Sequence, residues 1–539
     1  MSWRKGAAVP VLLLCVVLLF SACSNRGNES TAQPESKESG SSAPPTAAAQ
    51  QSEPSPFAEK LTLNWFIPSP ANAYLPEGDL DFVKKAIEDK FNVEMKITYM
   101  AGDQDYVAKL NTLLASTPPD MWSDRTNDGG QKYAADGLLA DLTGFVIPDK
   151  MPNYYKYWLT EDIVQRAKIN GQFVRAPLPY MGSSYRSYYI RQDWLDNLGL
   201  KMPTNYDEYV EVLRAFTNKD PDGNGKDDTY GFTTAGGGAN LGVEWPEYTK
   251  NGIKLPTSIQ NNAFVDGQTV PEIEGVLNDI VKLIDEKLVD PDWYLNKSPQ
   301  HVEKAIQGRV GVVYGYEKDF AFDNNQQGIQ YRTKQINPNA NWMPMTIFAN
   351  DPIYSNTGAG NPFLFSKSTT AENMDRSVAI LDWLASEEGY LLTHYGIEGK
   401  HYTRDGDTIT LNLDAFESDV VKQGDFLKIW SFFTMTTAWP EVYGLKVIDP
   451  RETDRDRAIV ETLLAQPKRQ YLGSSLIAPP GFDLAAFRKR QNELMSKAIF
   501  EDKSGKNWPQ YREELLNKLN GTALYEAYTN NLKAAGVIK

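Results

Sequence analysis

The chain has 539 residues, too long for one compact core and long enough for two lobes. Its formal net charge of −15, with no basic stripe, repels a phosphate backbone and argues against nucleic acid as a partner. Two cysteines and three histidines leave little material for a disulfide framework, a zinc cluster or a Ser-His-Asp triad.

At the N-terminus Arg4 and Lys5 precede the apolar run AAVPVLLLCVVLLF, and SACSN follows. A charged start and an apolar run too short for a comfortable membrane span are the order of an export signal, so residues 1–22 are expected to be one. Cleavage before Cys23 would leave that cysteine first. FSAC resembles a lipobox, with Phe20 where Leu is usual, and Cys23 is the expected lipidation site. An ordinary secretory signal or an uncleaved anchor ranks below this reading. Cys15 would leave with the signal. Residues 23–57 are rich in Ser, Gly, Pro, Glu, Ala and Gln without apolar periodicity, and read as a flexible tether.

Order begins at LTLNWF (61–66), an alternating strand. A helix over 80–91, a strand over 93–100, a helix over 106–116, a short strand in TPPDMWS (117–123) and a helix over 133–143 follow. This alternation predicts a mostly parallel sheet with helices on its faces. A break at 170–195, full of Pro, Gly, Ser and Tyr, precedes a second round. That round has helices over 205–217, 271–287 and 301–307 and the strand RVGVVYGY (309–316). A second break at NTGAGNPFLF (356–365) leads into a helix over 371–386 and a largely helical remainder. Two breaks predict lobes made of discontinuous segments, 58–182 with 356–425 and 183–355 with 426–539.

The stretch DPDGNGKDDTY (220–230) concentrates acidic oxygens. Counting from Asp220, side-chain oxygens fall at positions 1, 3, 5 and 9 (Asp220, Asp222, Asn224, Asp228), Gly225 is at the sharp-turn position, and Lys226 offers a carbonyl at 7. Hard oxygens in this order favour a structural Ca²⁺ over a plain hydrated Asp-Gly turn. Gly231 stands where a bidentate Glu is expected, so a further oxygen must come from Asp227, Thr229 or a distant carboxylate. A catalytic role fits poorly, because nothing in a hydrophilic loop would raise a carboxylate pKa.

YYIRQDWLDNLGLKMPTNYDEYVEVLRAFTNKDPDGNGKDDTYG (188–231) resembles the core signature of family 1 extracellular solute-binding proteins. LLASTPPDMW (113–122), YAADGLLADLT (133–143) and AILDWLASEEGYLLTHYGIEGKHYT (379–403) are similar to further stretches of the long lipoproteins that serve carbohydrate ABC transporters in Gram-positive bacteria. The resemblance implies an α/β, two-lobed, type II periplasmic-binding-protein-like fold with a hinge. It implies a monomeric, lipid-anchored, extracellular protein that passes an oligosaccharide to membrane permease subunits unaltered. It also implies Ca²⁺ at the acidic loop, although alginate-oligosaccharide-binding relatives carry a Glu where this chain has Thr229.

In open α/β sheets a ligand lies outside the carboxyl ends of strands. That rule selects Tyr74 after the first strand, Asp120 and Trp122 after the third, Tyr180, Tyr185 and Arg186 at the first break, and Tyr316 after RVGVV. It adds Trp245 beyond the Gly-rich TTAGGGANLG, Asn356 at the second break and Trp430 in the C-terminal part. A ring can cover the C–H face of a sugar, and Asp120 can meet its hydroxyls. Trp65, Trp194 and Trp383 sit in apolar patterns and are expected in cores. TAGGGANLG lacks the Gly-Lys-Ser/Thr ending of a phosphate loop. Two other classes stay open at this stage: a secreted glycoside hydrolase, which needs two facing carboxylates, and a binding protein that acts as a sensor or adhesin. An acidic ligand would call for cleft cations, for which Arg186 and Arg191 are available.

Overall fold

The computed structural model describes residues 57–126, 129–169, 171–176, 185–348, 362–434, 440–466, 476–534 and 536–539. Eight strands build its two main sheets: β1 (Leu61–Pro68), β2 (Val93–Met100), β3 (Met121–Ser123), β4 (Ser187–Arg191), β5 (Tyr230–Phe232), β6 (Val310–Gly315), β7 (Trp342–Met345) and β8 (Phe363–Phe365). The first sheet runs β8-β3-β1-β2, with β1 parallel to β2 and β3 and β8 antiparallel to β3. The second runs β5-β6-β4-β7; β5 and β6 are parallel, and β4 is antiparallel to β6 and β7.

Both faces of the first sheet are covered. Side chains alternate along a strand, so Trp65, Met121, Phe363 and Phe365 enter one core while Phe66, Trp122 and Leu364 enter another. The second sheet divides likewise: Tyr188, Ile190 and Tyr314 face one core, Tyr189 and Val313 the other. An aromatic on such a strand has no solvent face to occupy.

The helix Phe82–Phe91 shows how local chemistry sets an element. Val83, Ile87 and Phe91 recur at helical spacing and are buried, the Asp81 carboxylate accepts from the Lys84 amide, and Asn92 ends the helix at φ +49°. The helix expected over 133–143 is shorter, Gln131–Ala135. Gly137 turns the chain at φ +69°, and Leu139 then bridges Ser366 in extended form.

Residues 177–184 of the first expected break, and 356–361 of the second, lie outside the described residues. The expected third boundary, at 425/426, is corrected. Phe426, Leu427, Ile429, Trp430, Phe433 and Leu445 pack in the same core as Trp65 and Val83, whereas Ile459 and Leu463, and beyond them Leu476, Phe487 and Leu494, pack against the second sheet. Apolar periodicity gives a helix its buried stripe but does not say which of two cores that stripe enters. Among the described residues no helix is long and apolar enough to cross a membrane.

Candidate functional site

Because β5, β6 and β7 run one way and β4 the other, one edge of the second sheet gathers four chain ends. These carry Thr233 and Thr234, Tyr316, Thr346, and Tyr185 with Arg186. At this edge the Tyr316 hydroxyl donates to the Glu244 carboxylate, and Thr234 Oγ1 donates to its other oxygen at 3.1 Å. The Tyr188 hydroxyl donates to the Glu244 carbonyl at 2.8 Å. Gly242 makes the approach possible: its φ is +82°, and a Cβ there would strike the Glu244 carboxylate. The Arg186 guanidinium lies 5.2 Å from the centre of the Tyr316 ring, which remains 37% exposed. Burial first, and the Glu244 charge next, raise the Tyr316 hydroxyl above its usual range, so it is a standing donor. Beside it, Gln466 Nε2 donates to Ser187 Oγ at 2.9 Å and Thr346 Oγ1 at 3.1 Å.

The corresponding edge of the first sheet is tied by Tyr106, whose hydroxyl donates to the carbonyls of Phe66 at 2.8 Å and Ser123 at 3.0 Å. Just past β3, Asp124 is buried and accepts from the Thr126 amide at 3.0 Å and hydroxyl at 2.6 Å. Arg125 follows, half-buried, with its guanidinium 5.5 Å from the Phe432 ring centre. After β1, Tyr74 is 54% exposed, anchored by its amide to the Gly424 carbonyl at 2.9 Å. A direct link joins the cores: Gln131 Nε2 donates to the Leu476 carbonyl at 3.3 Å.

Several sequence expectations are corrected. Asp120 lies before β3, at the amino end of the strand, where it accepts from the Asn64 amide at 2.8 Å and from Asn373 Nδ2 at 3.3 Å. Trp122 is fully buried and meets Tyr133 edge-on at 5.9 Å. Trp245 is wedged between Phe232 and Trp293, with Nε1 donating to the Leu241 carbonyl at 2.6 Å. Trp430 is fully buried and donates to the Asp81 carboxylate at 2.9 Å, whose pKa burial lifts to about 6. Large rings bury more apolar area than any other side chain, and the cores claimed them. Arg191 is buried too, bidentate to Asp193 at 2.8 Å and the shorter 2.5 Å. Tyr185 is half-buried where the chain enters the second sheet, and burial raises its hydroxyl. Tyr180, Asn356 and Cys23 lie outside the described residues. Sequence reading passed over Glu244, Thr234, Asp124 and Arg125. The available signal was that Glu244 adjoins Trp245 and that Asp124 and Arg125, unlike Asp120, follow their strand.

The acidic loop is closed on itself. Asp220, at φ +47°, accepts from the amides of Asn224 at 3.0 Å and Gly225 at 2.9 Å. Asn224 Nδ2 donates to Asp222 at 2.8 Å and Asp228 at 3.3 Å, and the Lys226 amide donates to Asn224 Oδ1 at 2.8 Å. Burial and the facing Asp220 raise the Asp222 pKa, whereas the Gly225 amide holds Asp220 low. Thr229 is buried, and its hydroxyl donates to the Phe216 carbonyl at 2.7 Å. Gly231 packs against Leu213. Among the described residues no three His, Cys, Asp or Glu side chains form a metal-binding group as they stand.

Two mixed sheets flanked by helices, with polar and aromatic groups at one edge of each, make up the α/β body of the chain. The model of the bacterial extracellular solute-binding protein family matches residues 83–399, and the chain belongs to that family. It is a family of binding proteins, not of enzymes. The chain is 26% identical over 370 residues to the polygalacturonan/rhamnogalacturonan-binding protein YtcQ of Bacillus subtilis, covering 65% of this chain and 68% of that one. Its fold is similar to an HMO binding ABC-transporter associated solute-binding protein of Bifidobacterium longum infantis, with TM-score 0.65, 18% identity, and 88% and 99% of the two chains covered. It is also similar to an EF-hand mutant of the ABC-transporter substrate-binding protein FusA of Streptococcus pneumoniae, with TM-score 0.60, 15% identity, and 88% and 100% covered. The fold is the two-lobed, type II periplasmic-binding-protein arrangement.

Proposed function

We propose that this chain is the substrate-binding protein of an ABC importer and holds an oligosaccharide between its lobes. The observation that carries this reading is the Glu244 constellation. Thr234 and Tyr316 hold the Glu244 carboxylate and Tyr188 holds its carbonyl, so three strands fix this residue at the edge where such folds bind ligands. A fixed acceptor beside a half-exposed ring suits sugar hydroxyls above a C–H face. The names of its relatives, which bind polygalacturonan or serve ABC transporters, support the same class. Tyr74, Arg125, Tyr185 and Arg186 complete the proposed wall.

In this reading one lobe holds 58–176 with 362–445, the other 185–348 with 454–539. Ligand touches both only when they close, so it shifts the population to the closed form, which docks on a permease. Cys23 carries the lipid that keeps the protein at the outer face of the membrane. Calorimetry and small-angle X-ray scattering on the detergent-solubilised full chain test the core of this. Binding of one oligosaccharide per chain with a smaller radius of gyration is expected; a broad panel that neither binds nor compacts it overturns the proposal.

The acidic loop is proposed to take Ca²⁺. Asp222 and Asp228 accept from the side-chain amide of Asn224 and Asp220 from its backbone amide, and burial first, then the neighbouring carboxylates, raise Asp222. A hard cation relieves that repulsion, with Asp220, Asp222, Asn224 and Asp228 as side-chain ligands and Lys226 through its carbonyl. Its chemistry here is structural: it would fix the turn that feeds β5.

A further inference from the structure

Resting on the interlobe reading, we infer that Glu244 is a charge filter at the edge of the second sheet: the site takes a neutral oligosaccharide, whose hydroxyls donate to this carboxylate, and turns away uronates. An ionised carboxylate only accepts, and its two oxygens have room for about four hydrogen bonds. The Tyr316 hydroxyl takes a place on one oxygen and Thr234 Oγ1 a place on the other. The remaining places suit two neighbouring sugar hydroxyls, and hydrogen bonds to a charged acceptor are the stronger kind. Glu244 is half-buried and its partner Tyr316 is 37% exposed, so the pair is open to an incoming ligand.

The charge stays in place. Both groups that hold the carboxylate are neutral hydroxyls, which orient it without discharging it. Among the described residues no Lys, Arg or His nitrogen forms an ion pair with Glu244. The titratable side chains that feel its field are neutral at pH 7. Burial raises the hydroxyls of Tyr188, Tyr248 and Tyr316, with Glu244 adding to each, and burial holds the His301 imidazole below its ordinary range. Arg186, over the Tyr316 ring, is already partnered within the chain, and its charge also acts on Glu317, two residues beyond β6. Arg191, the other cation that sequence offered an acidic ligand, is buried and committed to Asp193. A uronate brought to this edge would set its carboxylate against a like charge in a partly buried site, where repulsion is stronger than in water.

The test uses the full chain in detergent, titrated calorimetrically with matched trisaccharides that differ only in oxidation at C6. The pairs are mannotriose with trimannuronic acid, galactotriose with trigalacturonic acid, and cellotriose with its triuronic acid. In every pair that binds, the neutral member is expected to be at least about tenfold tighter, and added salt should narrow the gap. E244Q keeps the shape and removes the charge, and should bring the two members within about threefold by weakening the neutral one and strengthening the acid. T234V removes one holder and leaves the charge, so weaker binding with the preference intact is expected. Equal or tighter binding of the acid by the parent, or a preference that survives E244Q or disappears with T234V at unchanged melting temperature, overturns this inference while leaving oligosaccharide binding standing. Binding of no sugar in either class overturns the proposed function and this inference with it.

Discussion

Two acidic places beside the second sheet are built in opposite ways. In the loop 220–230 the carboxylates accept from that loop's own amides, and every partner lies within five residues. At the sheet edge Glu244 is held by Thr234, ten residues back, by Tyr316, seventy-two residues on, and through its carbonyl by Tyr188, fifty-six residues back. The loop is a local object that eleven consecutive residues can shape. The edge exists only after three strands have paired, and so depends on the core beneath it.

The hardest blow to that dependence is Trp245→Ala. It empties the space between Phe232 and Trp293, directly after Glu244, and should cost about 3–5 kcal/mol in urea unfolding and abolish oligosaccharide binding. Stability within 1 kcal/mol of the parent would break the link between core and edge.

Glu247, three residues past Glu244, separates burial from function. It is fully buried, accepts from Tyr206 at 2.9 Å through one oxygen while Oε2 accepts nothing, and burial pushes its pKa up to about 7. A folded pKa above the unfolded value means its contribution is fully present below about pH 4.5 and fades as pH rises through 7. Relative to Glu247→Gln, the parent should lose about 3 kcal/mol over that interval. Urea midpoints at stepped pH that stay parallel for the two proteins would sink this.

Glu244→Ala should do the reverse, weakening oligosaccharide binding about 10- to 100-fold in calorimetry with melting shifted little. The smallest expected effect belongs to the loop. Ca²⁺ at ten times its Kd should stabilise the chain by about 1.4 kcal/mol, and Asp222→Asn should erase that gain without touching sugar affinity. A Ca²⁺-dependent sugar affinity would show that the two places are coupled after all.

This contrast explains what could be read in advance. The loop's oxygens stand at fixed spacing, so their convergence on Asn224 was visible in the string of residues. Strands β1, β2, β3 and β6 and the helix at 82–91 were equally legible, since periodicity and caps are short-range, whereas the short β5, β7 and β8 were not anticipated. The tryptophans were not. Trp122, Trp245 and Trp430 follow or flank the right elements, but a ring's destination depends on whether the sheet face it points to is covered. Both faces were covered here. Asp120 was placed on the wrong side because a three-residue strand leaves its two ends hard to tell apart.

By itself, then, the chain's order of residues determined an acidic body of alternating strands and helices, its family and a turn rich in carboxylates. These rest on contacts between near neighbours, which a linear string contains. Only the tertiary structure decided that Glu244, Thr234 and Tyr316 meet, that Arg186 is at the edge while Arg191 is inside, and that Phe426, Trp430, Phe433 and Leu445 join the first core. Those outcomes depend on which strands pair and which apolar faces bury one another, and the free energy of that burial is a property of the assembled molecule.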